Sequence, residues 1–503
     1  MTISSSSSPF KRGPMLALVA AFLGWMFDGM EMGIFPIVAR PALQAMQAAA
    51  HIADEGFVQR WMGIVTALFL FGAAGGGLVF GWLGDRVGRV RAMTWSILCY
   101  SLFTGLCYFA SQPWHLGAFR FIAALGMGGE WALGVALVME SWPARLRPLM
   151  AGCIGAAANF GYALIAIIAI QFPVTTSSWR WVMMVGAAPA LLTFFIRFFV
   201  PESERWQESV KARPSNPVRE IFGPSLLKNT LLAIAFSSVA LIVTWGIVQW
   251  IPLWADQMTS EQAKAGQGRV VEEVARLSAA AGNGSASLQQ ASAQAAEGLA
   301  RLRLNDPRGA LPRIDETITA LRGAADRGEV SASLIREQET VRALVAKQPA
   351  VKGLIQLVSS IGAIVGCVVA PLVGGWFGRR PVYFGLCLAS FIACSVLFRG
   401  FQHYSGAFLA MVGVVGFTSA AFYGWLPLYL PELFPTRARA TGQGLAFNFG
   451  RILAAVGAWQ MGSIMAWFDN SYAKAGAEII LVYLVGMMLI WFAPETKHRP
   501  LPE

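Results

Sequence analysis

Stretches of about twenty apolar residues recur along almost the whole chain, and no other feature restricts the possible folds as strongly. A helix of that length crosses the hydrocarbon core of a bilayer. Only 13% of the 503 residues are charged, about half the fraction typical of soluble domains. The pattern predicts an all-α polytopic membrane protein with twelve transmembrane helices in two six-helix halves. The predicted spans are 15–38, 57–82, 92–110, 116–138, 149–171, 180–200, 226–254, 352–376, 381–399, 404–430, 440–465 and 474–493.

The net charge of +11 does not indicate nucleic-acid binding, because the basic residues lie in short connections between the spans. Every second connection is rich in Lys and Arg, and the short connections on the other side are poor in them. By the positive-inside rule, this asymmetry predicts that both termini are cytoplasmic. We expect an integral protein of a bacterial inner membrane, with the lipid bilayer as its surroundings and without a nucleic-acid partner.

Polar segments divide the chain further. We expect a cytoplasmic tail at 1–14, a first half at 15–200, a cytoplasmic linker at 201–225, a seventh helix at 226–254, an insertion at 255–351, five further helices at 352–493 and a cytoplasmic tail at 494–503.

The insertion at 255–351 contains twelve acidic and twelve basic residues and no Phe, Trp, Tyr, Cys or His. Patterns such as VVEEVARL indicate amphipathic helices, but a segment without aromatic side chains cannot build a strong core of its own. We therefore expect helices packed on one another or on the outer face of the membrane domain. Two roles remain open, a solvated spacer and an extracytoplasmic cap that gates the substrate or binds a partner.

Two acids interrupt the first apolar stretch, although a charge in the bilayer centre costs on the order of 3 kcal/mol or more. Asp28 and Glu31 are three residues apart and share one helical face. Two neighbouring carboxyl groups away from water can hold a proton between them, as a proton-coupling site requires. Arg120 of the fourth span is a natural counter-ion, which protonation of the acid would free for an anionic substrate. The alternative is a purely structural salt bridge.

Further polar and aromatic residues within the spans are candidates for substrate binding. Arg451 is the only strong positive charge deep in the second half, and Glu130 lies in the middle of the fourth span. The other candidates are Asn159, Gln249, Trp250, Gln356, Tyr423, Trp425 and Asn448. Tryptophan is also the ordinary residue of membrane interfaces, and this assignment competes with a substrate role.

The strongest local motif is GWLGDRVGRVR (81–91), between the second and third spans. Its glycines allow close approach, its Asp can bond a helix start and its arginines can clamp neighbouring helices. The related GGWFGRRP (374–381) lacks the Asp-Arg pair, which predicts an asymmetric latch that is stronger in the first half. The expected gating residues are Gly81, Gly84, Asp85, Arg86, Gly88, Arg89, Glu140, Arg147, Glu202, Arg205, Arg379, Arg380, Glu432 and Arg437.

These motifs together resemble the major facilitator superfamily. The further matches are RFIAALGMGGEW (120–131), ESWPARLR (140–147), WRW (179–181), PESERW (201–206), PELFPTRARATGQG (431–444) and PETK (494–497). The resemblance covers all of the chain except the insertion. It implies the major facilitator fold and a substrate site near the midplane, between the two halves.

Within that superfamily, DGME (28–31) resembles the DGFD of aromatic acid/proton and sialate/proton symporters. Sugar porters usually carry a paired Gln motif in the seventh span, where this chain has TWGIVQWIPLW (244–254) with Gln249 alone. The resemblance therefore implies proton-coupled symport of a small organic anion by alternating access. A proton-coupled or facilitative sugar or polyol transporter remains an alternative, and so does a non-transporting receptor or scaffold. No enzyme motif, cofactor site or metal cluster is expected, whereas coupling to sodium stays open.

Overall fold

The computed structural model describes residues 12–54, 56–172, 174–212, 216–280, 286–304, 306–459, 467–469 and 471–503. These residues are almost entirely helical and contain no strand, which confirms the all-α prediction for the described part. The first eleven residues of the predicted tail at 1–14 lie outside it.

The described residues of the first half form seven α-helices. They are α1 (Arg12–Ala49), α2 (Phe57–Val87), α3 (Arg89–Leu106), α4 (Pro113–Ser141), α5 (Arg147–Gln171), α6 (Trp179–Val185) and α7 (Ala190–Phe199). Two short helices, α8 (Glu204–Ala212) and α9 (Pro217–Ile221), occupy the predicted linker.

The rest of the chain forms eleven helices among the described residues. They are α10 (Leu227–Gly246), α11 (Ile251–Ala280), α12 (Ala286–Arg303), α13 (Pro307–Ala325), α14 (Ala332–Phe377), α15 (Arg379–Gly400), α16 (Gly406–Ala420), α17 (Phe422–Tyr429), α18 (Arg439–Trp459), α19 (Tyr472–Ile479) and α20 (Val482–Leu489).

Ten helical segments of the described chain are long and apolar enough to cross a membrane, two fewer than the twelve predicted spans. The predicted sixth span is shorter because a turn at 186–189, which contains Pro189, separates α6 from α7. The predicted eleventh span, α18, carries Arg439 and Arg451, and the residues directly after it, 460–466, are outside the described chain.

Helix packing brings three elements to a common centre. α2 packs along α4 and α18, while α1 packs along α4 and α5. Glycines allow these close crossings: a Cβ on Gly76 would lie 1.9 Å from the carbonyl oxygen of Leu125. α1, α4 and α18 therefore surround one buried region, to which each contributes charged side chains.

The chain divides into two compact units. The second comprises residues 251–356 and 401–409, and so includes all of the predicted insertion at 255–351. Its helices bury small aliphatic side chains in two clusters, one around Val274, Leu288 and Leu321 and one around Ile314 and Val345. Ala, Val, Leu and Ile thus form a core there without aromatic side chains. Within this unit the sequence GNGSAS (282–287) predicts a flexible break, and most of it lies outside the described residues.

Candidate functional site

Three acids lie buried at the centre of the first half. α1 carries Asp28 and Glu31, and α4 carries Glu130, each at most 1% exposed. Their carboxyl groups do not form one cluster. Asp28 pairs with Glu130, whereas Glu31 pairs with Arg120, so the structure separates the two acids that share a face of α1.

Asp28 and Glu130 form what we call the acid pair. Their carboxyl groups lie beside each other, and no donor in the described part of the chain reaches any of their four oxygens. A carboxylate cannot donate, so a bond between two carboxyl groups requires one proton. Gly24 provides the space, because a Cβ there would lie 1.7 Å from Oε1 of Glu130.

Glu31 lies in a different environment. Its carboxylate forms an ion pair with Arg120 and also accepts a hydrogen bond of 2.9 Å from Oγ1 of Thr104. The Arg120 guanidinium lies over the rings of Phe35 and Phe69, 4.9 and 4.5 Å from their centroids. This charge is therefore neutralised by the protein itself.

Arg451 of α18 is also buried, at 2% exposed, but no carboxylate in the described residues forms an ion pair with it. Its NH1 donates to Oδ1 of Asn448 at 2.7 Å, and its Nε has no partner in the described chain. Asp28 is among the charged groups near enough to act on it electrostatically, as are the hydroxyl groups of Tyr162 and Tyr423.

Aromatic rings line the same region. Phe447 stacks on Trp131 with 3.8 Å between ring centroids and 13° between planes, and Trp25 meets both rings. The Arg451 guanidinium lies 5.5 Å from the Phe447 centroid, and Tyr423 meets Phe447 edge-on. The result is a buried arginine beside flat apolar surfaces, next to the acid pair.

The remaining candidates for substrate binding are dispersed. Gln249 donates to the hydroxyl of Tyr162 at 3.0 Å, near Arg451. Asn159 instead donates to Sγ of Cys367. Three candidates lie elsewhere: Trp250 contacts Tyr472, Trp425 donates its indole N–H to the carbonyl of Arg379, and Gln356 belongs to the second compact unit.

A second buried cluster joins the two halves, and we call it the latch: Asp85, Arg89, Glu140, Arg439 and Thr441. Oδ2 of Asp85 accepts from the backbone N–H of Thr441 at 2.8 Å and from its hydroxyl at 2.5 Å. Oδ1 accepts from Arg89 at 2.7 Å and from the N–H of Ala440 at 3.2 Å. The carboxylate thus caps the start of α18, where helix N–H groups lack partners.

Glu140 at the end of α4 is the other acid of the latch. Its Oε1 accepts from Arg89 at 3.1 Å and from Arg439 at 2.9 Å, so one carboxylate joins arginines of both halves. Oε2 accepts from the hydroxyl of Ser203 in the linker at 2.5 Å. Arg89 also donates to the carbonyl of Thr436.

In each half a glutamate also caps the start of a helix. Glu202 accepts from the backbone N–H groups of Arg89 and Val90 at the start of α3, at 2.9 and 3.0 Å. Glu495 accepts from those of Arg379 and Arg380 at the start of α15, at 3.0 and 3.1 Å. Gly88 and Gly378 precede these caps with φ of 114° and 102°, which glycine adopts without strain.

The two caps differ in their pKa. Burial raises the pKa of Glu202 by more than its backbone hydrogen bonds lower it. Burial also acts on Glu495, but the N–H groups of Arg379, Arg380 and Lys497 outweigh it and hold the pKa of that carboxyl below its usual range.

The second copy of the motif lacks the capping carboxylate, as its sequence indicates, and a latch that is stronger in the first half stays a prediction. Arg379 repeats the role of Arg89, donating to the carbonyl of Gly374 at 2.7 Å and to Glu432 at 2.6 Å. Gly375 occupies the position equivalent to Asp85 and packs near Pro148 at the start of α5. Proline has no N–H to be capped, so this half needs no carboxylate there.

The other expected gating residues lie around these two centres. Arg437 pairs with Glu220 of the linker at 2.5 Å, and Arg147 donates to the carbonyl of Met139. Arg380 donates to the carbonyl of Trp491, and Arg86 lies over the Trp82 ring. Arg205 is exposed on α8. Gly81 and Gly84 allow α2 to approach Ala440 and Leu133.

Several residues of these centres escaped sequence reasoning. Gly24 carries no chemical group, so only the position of Glu130 reveals its role. Arg439 and Thr441 belong to the motif at 431–444. The need of a buried Asp85 for N–H donors from another helix could have pointed to them. Gln443 is fully buried with both amide atoms unpartnered among the described residues.

Comparisons with known proteins concern the family and the fold. The family model described as Major Facilitator Superfamily matches residues 10–268, and the one described as Sugar (and other) transporter matches residues 327–499. The chain is 24% identical to the sialic acid transporter NanX of Escherichia coli, over 93% of this chain and 90% of that protein.

Two further matches extend the comparison. The gentisate transporter of Corynebacterium glutamicum is 28% identical over 47% of this chain and 53% of its own length. The proton:xylose symporter XylE of E. coli, solved with 6-bromo-6-deoxy-D-glucose, superposes with a TM-score of 0.60 at 16% identity, over 97% of this chain and 98% of that one. At that identity the structural likeness concerns the fold alone.

Proposed function

Because this chain belongs to the Major Facilitator Superfamily, we propose that it imports a small organic anion together with protons by alternating access. Like the members of its family and its relatives, it is an integral membrane transporter of small organic substrates; it is not an enzyme. The anion class and the coupling to protons are the proposal. An aromatic carboxylate or a sugar acid fits it best.

The observation that carries the proposal is Arg451, a buried arginine beside the acid pair that forms no ion pair with any described residue. A buried charge without a partner destabilises a protein by several kcal/mol. A carboxylate ligand would neutralise the guanidinium through two parallel hydrogen bonds. The rings of Phe447 and Trp131 offer a flat apolar wall next to it. Each of these features favours a small planar or compact anion over a neutral solute.

The acid pair supplies a coupling step. With one shared proton it carries one negative charge close to Arg451 and competes with a substrate anion for the arginine. A second proton, taken up from the outer side, would remove that charge and leave Arg451 free to bind the anion. Loss of the proton on the inner side would restore the competition and expel the anion.

Glu31 and Arg120 form a parallel pair for the same exchange. A proton on Glu31 would release the Arg120 guanidinium, which Phe35 and Phe69 hold in place. This is the exchange expected from the sequence, with Glu31 as the acid that pairs with Arg120.

The names of the relatives support an acid as the substrate. Sialic acid and gentisic acid are both carboxylic acids, and NanX covers almost the whole chain. The proposal places both termini in the cytoplasm, so the latch faces inward. It also places the second unit outside the cytoplasm, where an extracytoplasmic partner remains a further option.

The test is uptake into proteoliposomes with an imposed inward proton gradient. The panel is benzoate, gentisate, nicotinate, sialic acid, glucose and xylose, each on wild type and on Arg451→Gln, Asp28→Asn, Glu130→Gln and Glu31→Gln. We expect gradient-driven uptake of an acid, reduced by about thirtyfold or more in Arg451→Gln, since loss of a desolvated charge contact costs about 2–5 kcal/mol and every 1.4 kcal/mol is tenfold. Asp28→Asn and Glu130→Gln should no longer increase uptake when the proton gradient is imposed, but they should still exchange labelled for unlabelled acid.

Asp469→Asn is the control, since Asp469 is an exposed residue paired with Lys474 near the chain end. Uptake of every acid independent of the gradient would refute the proton coupling. Competition by monosaccharides and not by acids would favour the alternative, a sugar or polyol transporter, to which the match of residues 327–499 with the sugar transporter model also points.

A further inference from the structure

Asn448 lies between the arginine of the site and the backbone of the opposite half. It is fully buried on α18. Its Nδ2 donates to the carbonyl of Gly128 on α4 at 2.8 Å and to that of Gly444, one turn earlier, at 2.9 Å. Its Oδ1 accepts from NH1 of Arg451 at 2.7 Å. One side chain therefore joins α18, α4 and the guanidinium.

The orientation of this amide is fixed by its neighbours. A flipped amide would point its oxygen at two carbonyl oxygens and its NH₂ group at a guanidinium N–H, and both contacts would be repulsive. In the orientation observed, both amide hydrogens are used within the protein. Asn448 is thus poorly suited to the role expected from the sequence, a direct contact to the substrate.

Glycines allow α2, α4 and α18 to approach closely enough for this arrangement. A Cβ on Gly77 of α2 would lie 2.2 Å from Nδ2 of Asn448, and one on Gly128 would lie 2.0 Å from the carbonyl oxygen of Ala73. The bond to Gly128 therefore exists only when α18 lies directly against α2 and α4. Separation of α18 from α4 would leave a buried amide N–H without its partner.

We propose that Asn448 is a positioning residue that couples anion binding at Arg451 to the contact of α18 with α2 and α4. The inference rests on the proposed function, in which the anion binds Arg451. An anion that draws the guanidinium toward itself removes the hydrogen bond that holds Oδ1. The amide then loses its fixed orientation, and its bond to Gly128 weakens. Binding at the centre thereby loosens the helix contact that the latch also closes.

Hydrogen–deuterium exchange of the full-length protein in nanodiscs tests this coupling. The peptides followed cover residues 81–91 and 436–448, with and without benzoate, gentisate or sialic acid at saturating concentration, alongside a direct measurement of binding. We expect a bound acid to change the exchange of these peptides in wild type. In Asn448→Ala the same acid should bind within tenfold of the wild-type affinity and produce less than a third of that change.

Two further variants sharpen the result. Asn448→Asp keeps an acceptor for Arg451 but faces the Gly128 carbonyl with a carboxylate, so it should abolish the ligand-induced change and also weaken acid binding by competing for the arginine. Asn229→Ala is the matched control, because Asn229 donates to the carbonyl of Leu433 within the second half and should leave the change intact.

The outcomes separate the two proposals. A full ligand-induced change in Asn448→Ala would overturn the coupling role while leaving anion binding at Arg451 in place. If no acid binds wild type or alters its exchange, the proposed function itself fails. Equal loss of the change in Asn448→Ala and Asn229→Ala would also overturn the inference, since a general loosening of the fold would then explain both.

Discussion

Asp85→Asn is the perturbation that most directly tests whether the latch holds the two halves together. The substitution keeps the size of the side chain and removes its charge. Whichever way the amide turns, its NH₂ group replaces an oxygen that accepts two hydrogen bonds. It would face either the two donors of Thr441 or the donors of Arg89 and Ala440.

The expected magnitude follows from those bonds. A hydrogen bond to a charged group contributes about 1.5–3 kcal/mol. The loss of two such bonds therefore weakens the closed latch by about 3 kcal/mol or more. Since every 1.4 kcal/mol is tenfold, the open population should rise by about 100-fold. Thr436 and Glu140 hold Arg89 through other contacts, so the fold itself should persist.

Native-state hydrogen exchange of the peptide at 436–444 measures this population, because exchange through local opening scales with the opening constant. Glu495→Gln is the matched control: it removes a carboxylate that caps a helix within one half and makes no contact across the latch. An increase below about threefold in Asp85→Asn, or an equal increase in Glu495→Gln at this peptide, would refute the reasoning.

Two further predictions concern the acid pair and the helix caps. Gly24→Ala should lower gradient-driven uptake at least tenfold, because its Cβ would displace the Glu130 carboxyl from Asp28, whereas Gly75→Ala, with nothing within 4 Å of the new Cβ, should transport normally. Thermal unfolding at pH 7 and at pH 3.5 should distinguish the cap formed by Glu495 from the cap formed by Glu202. The pKa of Glu495 is lowered in the folded state, so its stabilising effect is present above the ordinary glutamate pKa of about 4.3 and is lost below it. Glu495→Gln should therefore destabilise more at pH 7 than at pH 3.5. The pKa of Glu202 is raised in the folded state, so the pH dependence has the opposite sign, and Glu202→Gln should destabilise the protein less at pH 7 than at pH 3.5. Identical pH dependence of unfolding in the two variants would contradict this difference between the caps.

Membrane spans and family motifs were predictable because they depend on local composition and spacing. The apolar stretches indicated the helices, and GWLGDRVGRVR at 81–91 indicated the connection between the second and third spans and an Asp that bonds a helix start. The degraded copy at 374–381 likewise indicated an asymmetric latch. These features can be predicted because each one is contained in a single short segment.

Pairings between distant segments were not predictable in the same way. Helical spacing placed Asp28 and Glu31 on one face, yet they meet different residues of α4, Glu130 for Asp28 and Arg120 for Glu31. A spacing argument does not show how helices rotate against each other. The broken sixth span has the same origin, since apolar composition continues through the turn that contains Pro189.

The antiparallel contact of α4 with α18 connects the latch to the site. At a rise of about 1.5 Å per residue, Glu130 lies about 15 Å from Glu140 along α4, and Arg451 lies about 18 Å from Arg439 along α18. Each end of this contact therefore carries an acid on α4 and an arginine on α18. The pair at the latch is closed at 2.9 Å, whereas the central arginine has no carboxylate partner and bonds Asn448 instead. A rigid α18 cannot tilt away from Glu140 without also moving Arg451 relative to Glu130. Opening of the latch and rearrangement of the central charges are then one movement, with the Asn448–Gly128 contact between them.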